Sequence, residues 1–400
     1  MSGIYIVGGG ASGLFAAICA ARRNKKVTIL EHKDKPGKKI LATGNGKCNY
    51  TNLVQKEECY RSSNPAFAGE VIRAFDVNAT VDFFKEIGIY PLDRNGYLYP
   101  NSGQAASVLE VLLLEAERTG VTIECNAHVQ KIDKNLAIYM ADRKYQAEGI
   151  ILAAGGKAAP AHGSDGSGLS IARELGHNIL TPLPALVQLK SGEKYFKTLS
   201  GVRTEAEVRL FIDKQMKAFE KGEVLLADYG LSGIPVMQIS RYAAEALSRG
   251  SKVTAVLDFL PFLSKEELKE MLYFRLKRNA KETLEEAFLG LLNKKLAYVA
   301  IKESKLDPYH RMKDIKDSQL TQLVNQLKEW KVPITDTHSF EHAQVMAGGI
   351  DTKEINPVSM ESKLIKGLYF AGEIVDVDGT CGGYNLQWAW SSGHAAGTHI

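Results

Sequence analysis

The chain has 400 residues, 45% of them apolar, enough for two or three domains that each bury a core, which excludes a small disulfide- or metal-stapled scaffold. Its 50 Lys and Arg against 46 Asp and Glu leave a net charge of only +4. With no basic stripe, that balance argues against nucleic acid or an anionic membrane and for a small-molecule partner. The five cysteines, Cys19, Cys48, Cys59, Cys125 and Cys381, are far apart, with neither C-x-x-C nor zinc spacing. A reduced, cytoplasmic protein without a metal site is therefore expected, and the oligomeric state is left open.

In chain order, Ile4-Tyr5-Ile6-Val7 reads as a short buried strand, followed by Gly8-Gly9-Gly10-Ala11-Ser12-Gly13, a G-x-G-x-x-G turn. Leu14, Ala17, Ile18 and Ala21 then recur at helical spacing, and Val27-Thr28-Ile29-Leu30 is a second strand ending in Glu31. The glycines and the basic residues that follow, rather than precede, the run argue against reading residues 4–21 as a signal peptide or membrane span. Gly8 suits a tight turn, Gly10 leaves room for a pyrophosphate, and Gly13 permits close helix packing. The helix start offers free N–H groups and partial positive charge to phosphates. Glu31, at the tip of the second strand, is placed to accept from both hydroxyls of an adenosine ribose. Strand, turn, helix, strand and acid together predict dinucleotide binding.

A second Gly- and Asn-rich loop, Gly44-Asn45-Gly46-Lys47-Cys48-Asn49, follows at once, where a simple NAD domain would continue to its next helix. Residues 121–125 alternate like a strand, and residues 128–147 hold three strand-like runs separated by turn residues, a β-meander. The meander leads into a buried strand that ends in Ala153-Ala154-Gly155-Gly156. Residues 163–168 form a flexible turn into a helix over 169–175. Val202, Thr204, Ala206, Val208, Leu210 and Ile212 alternate with charged residues, predicting a half-exposed antiparallel strand. Residues 253–259 form another, so a small β-barrel or sandwich is expected here.

Helical signals then take over. Ser264 with Glu267 and Thr283 with Glu286 have capping-box spacing, and Leu320, Leu323, Val324, Leu327 and Trp330 form an apolar stripe. Val332-Pro333-Ile334 returns to the β part. His162, His177, His338 and His342 show no metal-ligand spacing, and the i, i+4 pair His338 and His342 predicts a solvated helix face. Residues 367–373 read as a strand with an acidic turn, and Gly382-Gly383-Tyr384-Asn385 opens a last helix with Leu386, Trp388 and Ala389.

The order of nucleotide-binding unit, meander and Ala-Gly-Gly strand resembles the two-dinucleotide-binding-domain flavoproteins of the glutathione-reductase type, and this resemblance carries FAD. The strings at residues 37–52, 229–233 (Tyr-Gly-Leu-Ser-Gly), 347–350 (Ala-Gly-Gly-Ile) and 382–393, taken together, resemble the BaiN/aminoacetone-oxidase-like family of bacterial FAD-binding flavoproteins over nearly the whole chain. Departures from the family pattern fall at Ala227-Asp228, Met346 and Cys381, so substrate identity does not carry over. The resemblance implies an α/β fold: a Rossmann-type FAD-binding domain (1–190 and 345–400), an inserted β-barrel-like domain (191–258 and 331–344) and a small helical subdomain (259–330).

It also implies non-covalent FAD bound by Gly8, Gly10, Ala11, Ser12, Gly13, Glu31, Lys39, Ile40, Gly44, Asn45, Gly46, Lys47, Cys48, Asn49, Val129, Ala154, Gly155, Gly156, Gly372, Glu373, Gly383, Tyr384, Asn385 and Leu386. The last helix start would face the flavin pyrimidine and favour negative charge there. Candidates for chemistry are Tyr384 and Asn385 at that helix start, and Cys48, which lacks a partner cysteine and reads more readily as packing. The implied activity is an FAD-dependent oxidoreductase acting on a small organic substrate such as a bile-acid or steroid enone. With only one G-x-G-x-x-G, NAD(P)H would bind transiently. The alternatives are an amine oxidase of the aminoacetone type using O2 and, less favoured by charge, a flavin-containing RNA-modifying protein.

Overall fold

The computed structural model describes residues 3–278 and 282–400. The chain divides into two compact units, one of residues 1–184 and 340–400 and the other of residues 185–339. The expected helical segment 259–330 spans residues 279–281, which lie outside the described residues.

The first unit is built on a five-stranded parallel sheet in the order Leu368–Phe370, Gly149–Leu152, Ile4–Val7, Val27–Leu30, Thr122–Glu124. Ile4–Val7 and Gly149–Leu152 are buried at every residue, because a central parallel strand is covered on both faces and so reads as a continuous apolar run. The meander forms as expected: Lys131–Ile132, Ala137–Tyr139 and Lys144–Gln146 pair antiparallel in sequence order.

The helix Ala11–Ala21 is buried at every residue but the first, since it lies between the sheet and the last helix, Tyr384–His399. Gly393 and Gly397 make that approach possible. A Cβ at Gly393 would stand 2.7 Å from Ser12 O, and one at Gly397 would run into Ala16 O. Gly397→Ala therefore sets a helix-propensity gain of about 1 kcal/mol against a backbone clash that costs about 1–3 kcal/mol. The clash should win and lower the denaturant midpoint; a midpoint at or above wild type would show that the two helices have room to spare.

The second unit is one seven-stranded antiparallel sheet, ordered Trp330–Ile334, Val253–Asp258, Val202–Ile212, Gln215–Ala227, Gly230–Ser232, Leu189–Lys190, Asp336–Thr337. In Val202–Ile212 the alternation is realised, with Val202, Ala206, Val208 and Leu210 buried and Arg203 and Glu205 exposed. The helices Ile234–Ser248, Lys294–Glu303 and Asp317–Lys328 share one core with this sheet, into which Leu320, Leu323, Leu327 and Trp330 are buried.

Two local expectations change. Ser264 and Glu267 form the reciprocal capping box, Ser264 N–H to Glu267 Oε2 at 2.7 Å and Glu267 N–H to Ser264 Oγ at 3.1 Å, and open the helix Lys265–Arg278. Thr283 and Glu286 make the same bonds but start only a single turn, Glu286–Phe288, because Leu289 turns extended and Gly290 takes a φ of 77°. His338 and His342 do not share a helix face. His338 follows the strand Asp336–Thr337, with its ring edge-on to Tyr229 at 4.4 Å, and His342 lies in an exposed turn.

Candidate flavin site

Strand Ile4–Val7 delivers the glycine turn to the edge of the sheet, and each glycine there is set by a different neighbour. Gly8 has a φ of 105°, and a Cβ on it would lie 2.5 Å from Ala153 O; one on Gly13 would run into Gly8 O. Gly10 differs, since a Cβ there would meet nothing within 4 Å. It caps the helix without any side-chain hydrogen bond, and the first turn contains no acid. The first intrahelical bond is Leu14 N–H to Gly10 O, so the N–H groups of Ala11, Ser12 and Gly13 have no partner within the helix. An uncapped, positively polarised helix end beside open space fits a pyrophosphate.

Glu31 is buried, and its carboxylate accepts Gly9 N–H at 2.7 Å through Oε2 and Lys33 N–H at 2.8 Å through Oε1. Gly9, to which sequence reasoning gave no role, thus anchors the acid: a Cβ there would press on Pro36 at 2.9 Å. Each oxygen keeps a second lone pair, which is what two ribose hydroxyls need. Val129 is buried two residues beyond Ala127, whose N–H binds Glu31 O at 2.9 Å.

The other expected contacts fall into the same cluster. Lys39 Nζ donates to Glu373 Oε2 at 2.6 Å and to Ala158 O at 3.1 Å, while Glu373 Oε1 accepts Met346 N–H at 2.8 Å. Two side chains each expected on the cofactor are thus paired with one another, and Ile40 is buried, with its N–H bound to Gly37 O at 2.9 Å and its carbonyl accepting Thr43 Oγ1 at 2.6 Å. Gly155, with a φ of 72°, packs on Ser164, and Gly156 packs on Met346. The 163–168 turn is closed by Asp165, which accepts Ser167 N–H at 2.9 Å. Ser12 Oγ donates to Ala371 O at 3.3 Å, joining the glycine turn to the Gly372–Glu373 turn.

That second turn is clamped from the last helix, where Trp388 Nε1 donates to Gly372 O at 3.0 Å and Ser392 Oγ accepts Gly372 N–H at 2.9 Å. Trp388 and Ser392 stand one helical turn apart, a spacing that was legible, but their partner was not.

A second cluster surrounds the start of Tyr384–His399. Gly383, the N-cap, has a φ of 94°, and a Cβ on it would meet Thr51 O at 2.6 Å. Gln387 N–H to Gly383 O is the first helical bond, so Tyr384, Asn385 and Leu386 present N–H groups unclaimed by the helix. Asn52 Nδ2 donates to Gly382 O at 3.0 Å and Trp390 Nε1 to Tyr50 O at 2.8 Å, so residues 50–54 lie along this helix. In the preceding loop Gly44, Asn45 and Gly46 are exposed in the left-handed region, whereas Asn49 is buried with an Oδ1 that accepts no hydrogen bond. A buried unsatisfied acceptor costs about 1–3 kcal/mol, which a donor on a bound ligand would recover. Lys47 is exposed beside it.

The three candidates for chemistry are each committed elsewhere. Cys48 is fully buried at a φ of 56°, and desolvation pushes its thiol up to about 12, which keeps the sulfur protonated and suits packing. Tyr384 OH donates to Val54 O at 2.9 Å, and burial raises its pKa, so it makes a poor acid. Asn385 Oδ1 accepts Gly379 N–H at 2.8 Å and its Nδ2 donates to Gly379 O at 2.9 Å, holding the turn that aims the helix.

His394, on the same helix, stacks on Phe75 at 4.4 Å; burial, aided by His399, depresses its pKa to about 4 from 6.5. Burial also lowers His177, against the opposing pull of Glu354. A depressed histidine keeps its full contribution to stability above pH 6.5, and loses it as pH falls from 6.5 toward 4, where the unfolded chain binds the extra proton. The melting temperature should therefore drop between pH 7.5 and 5, by a few degrees less in His394→Phe. An identical drop in that variant would acquit His394.

Among the described residues, no group of three or more His, Cys, Asp or Glu is arranged to hold a metal, and no helix is long and apolar enough to cross a membrane.

A parallel sheet carrying a glycine turn, an anchored acid, a meander and a returning helix defines a Rossmann-type flavoprotein, and the residues present fit FAD. The family described as HI0933-like protein Rossmann domain matches residues 2–399. The chain belongs to that family of FAD-dependent oxidoreductases. It is 42% identical, over 99% of its length and 98% of the relative's, to a 3-dehydro-bile acid delta(4,6)-reductase of Clostridium scindens. Two further relatives are named ribosomal RNA dihydrouridine synthase: that of Haemophilus influenzae, 30% identical over 99% of this chain and 97% of its own, and that of Escherichia coli, 29% identical over 98% and 96%.

Proposed function

We propose that this chain reduces a carbon–carbon double bond conjugated to a ring ketone, on a small bile-acid- or steroid-like molecule, with NAD(P)H as electron donor. The observation that carries the reading is the 42% identity, end to end, with a chain named for that reduction. Dihydrouridine synthesis is the same class of reaction on a uracil ring, since the bond it saturates is conjugated to a carbonyl. The lower identity of those relatives and a net charge of +4 without a basic stripe favour the small molecule.

When bound, FAD supplies hydride transfer between nicotinamide and substrate. The chain's own residues hold and orient it. The N–H groups of Ala11, Ser12 and Gly13 take the pyrophosphate, with Gly10 leaving the approach clear; Glu31 takes the ribose; Val129 borders the adenosine side. Lys39 and Glu373, neutralised by each other, tie the Gly372 turn to Ala158 and to Met346, on which Gly156 packs, with Ala154 and Gly155 just before it. On the flavin side stand the 44–49 loop with its open Asn49 acceptor and the helix end Gly383–Leu386. Residues 1–190 with 345–400 serve as the FAD domain, with 191–258 and 331–344 as a β domain and 259–330 as a helical subdomain.

The test is anaerobic reduction of the purified yellow protein by NADH and NADPH in turn, followed by a 3-oxo-4,6-diene bile acid, uridine-containing ribosomal RNA, or O2 after reduction by an amine. Reoxidation by the dienone with loss of its double bonds is expected. Fast amine-driven peroxide formation would make the protein an oxidase, and turnover of the RNA alone would make it an RNA-modifying enzyme.

A further inference from the structure

The strand Tyr97–Pro100 is the middle of a three-stranded antiparallel sheet with Thr51–Asn52 and Pro91–Arg94. It alternates: Leu98 and Pro100 are buried, while Tyr97 is 42% exposed and Tyr99 half-buried on the opposite face. Each of those rings lies against a glycine of the flavin side. A Cβ on Gly382 would fall 2.6 Å from Tyr97 Cε1, and one on Gly44 would fall 3.5 Å from Tyr99 Cε1. One strand thus carries two aromatic rings from the 44–49 loop to the start of the last helix.

Two exposed aliphatic side chains lie near Tyr97, and a cation lies against Tyr99. Leu53 and Val54, which follow the neighbouring strand Thr51–Asn52, are 47% and 48% exposed. They adjoin the start of the tyrosine strand, because Leu53 N–H binds the carbonyl of Gly96, the residue before Tyr97, at 2.8 Å. The Arg94 guanidinium stands 5.5 Å from the Tyr99 ring centre and holds that ring in place by a cation–π contact. Tyr97 packs into no core, and neither tyrosine is needed for the phosphate cradle.

We propose that Tyr97 and Tyr99 form the wall on which the flat, conjugated ring of the substrate stacks beside the flavin, with Leu53 and Val54 receiving its saturated rings. This rests on the flavin-site reading above and makes the two tyrosines specificity-determining residues. A fused alicyclic ketone suits a surface that sets two aromatic faces beside two aliphatic side chains.

The experiment uses the FAD-loaded full chain and a 3-oxo-4,6-diene bile acid, with Tyr97→Ala, Tyr99→Ala and Tyr97→Phe as variants. Tyr97→Ala is expected to keep its FAD, to raise KM at least tenfold and to change kcat much less, with Tyr97→Phe close to wild type. A saturated 3-oxo analogue should weaken as an inhibitor in step with KM. Unchanged KM in both alanine variants, beside a wild type that reduces the dienone, would overturn the wall and leave the flavin reading standing. Loss of FAD from Tyr97→Ala would overturn it too, by giving the ring to the cofactor. A wild type that reduces uridine in RNA but not the dienone would overturn the substrate class and the reading together.

Discussion

A Gly383→Val protein is expected to purify with little or no FAD. Gly383 caps the last helix at a φ of 94°, in a region that costs a β-branched residue about 1–3 kcal/mol. Its Cβ would also stand 2.6 Å from Thr51 O and 2.7 Å from Thr51 C, both backbone atoms that cannot rotate away. The clash falls on the backbone of the strand Thr51–Asn52, within the segment 50–54 that lies along the helix. The helix start must therefore shift, and with it the N–H groups of Tyr384, Asn385 and Leu386. Any FAD that remains should show a lowered reduction potential, because the positive helix end no longer faces it. The Gly383 Cβ would meet only Thr51 among its nearest atoms, and no atom of the glycine turn, so that turn should still fold. Normal FAD content and an unshifted potential would remove this helix from the site.

Glu31→Ala is expected to weaken FAD by tens- to several-hundred-fold, the cost of losing charge-assisted hydrogen bonds worth about 2–4 kcal/mol. The structure adds a second effect. With the carboxylate gone, the buried Gly9 N–H loses its acceptor, at about 1–3 kcal/mol if left unsatisfied, while the half-buried Lys33 N–H loses its own where water is nearer to replace it. The variant should therefore melt lower even without FAD, and Glu31→Gln, which keeps one acceptor oxygen, should recover part of that loss but little of the affinity. FAD titration by fluorescence and thermal melts of the apoprotein separate the two. Unchanged affinity would move Glu31 away from the ribose, and unchanged melting would make its two backbone bonds dispensable.

The parts of this fold legible in the sequence were those in which local pattern and tertiary role agree. Ile4–Val7, the glycine turn, Val27–Leu30 and Glu31 were readable because a buried parallel strand, an uncapped helix start after glycines and an acid at a strand tip each leave a residue signature within thirty positions. The alternation of Val202–Ile212 and the Ser264–Glu267 box were readable for the same reason. What failed was set at a distance. Thr283 and Glu286 have a helix-start spacing, but Gly290 ends the turn. His338 and His342 have a helical spacing without a helix. Lys39 pairs with Glu373, 334 positions away, so no local pattern could show that the two charges cancel. Tyr384 and Asn385 looked free because the carbonyls they bind, Val54 and Gly379, belong to other turns. Tyr97 and Tyr99 were visible as an i, i+2 pair, yet only the packing of Gly382 and Gly44 gives that face a meaning.

The proposed function requires reduced flavin to pass a hydride to a double bond conjugated to a ring ketone. Its most direct test is anaerobic single-turnover mixing, in which the protein is first bleached by one equivalent of NADH or NADPH and then meets a 3-oxo-4,6-diene bile acid. The predicted result is return of the oxidised flavin absorbance at the same rate as loss of the dienone absorbance, one to one, with a product reduced at a carbon–carbon bond and its ketone intact. Flavin that stays bleached in the presence of excess dienone, yet recovers at once in air with stoichiometric peroxide, would contradict it.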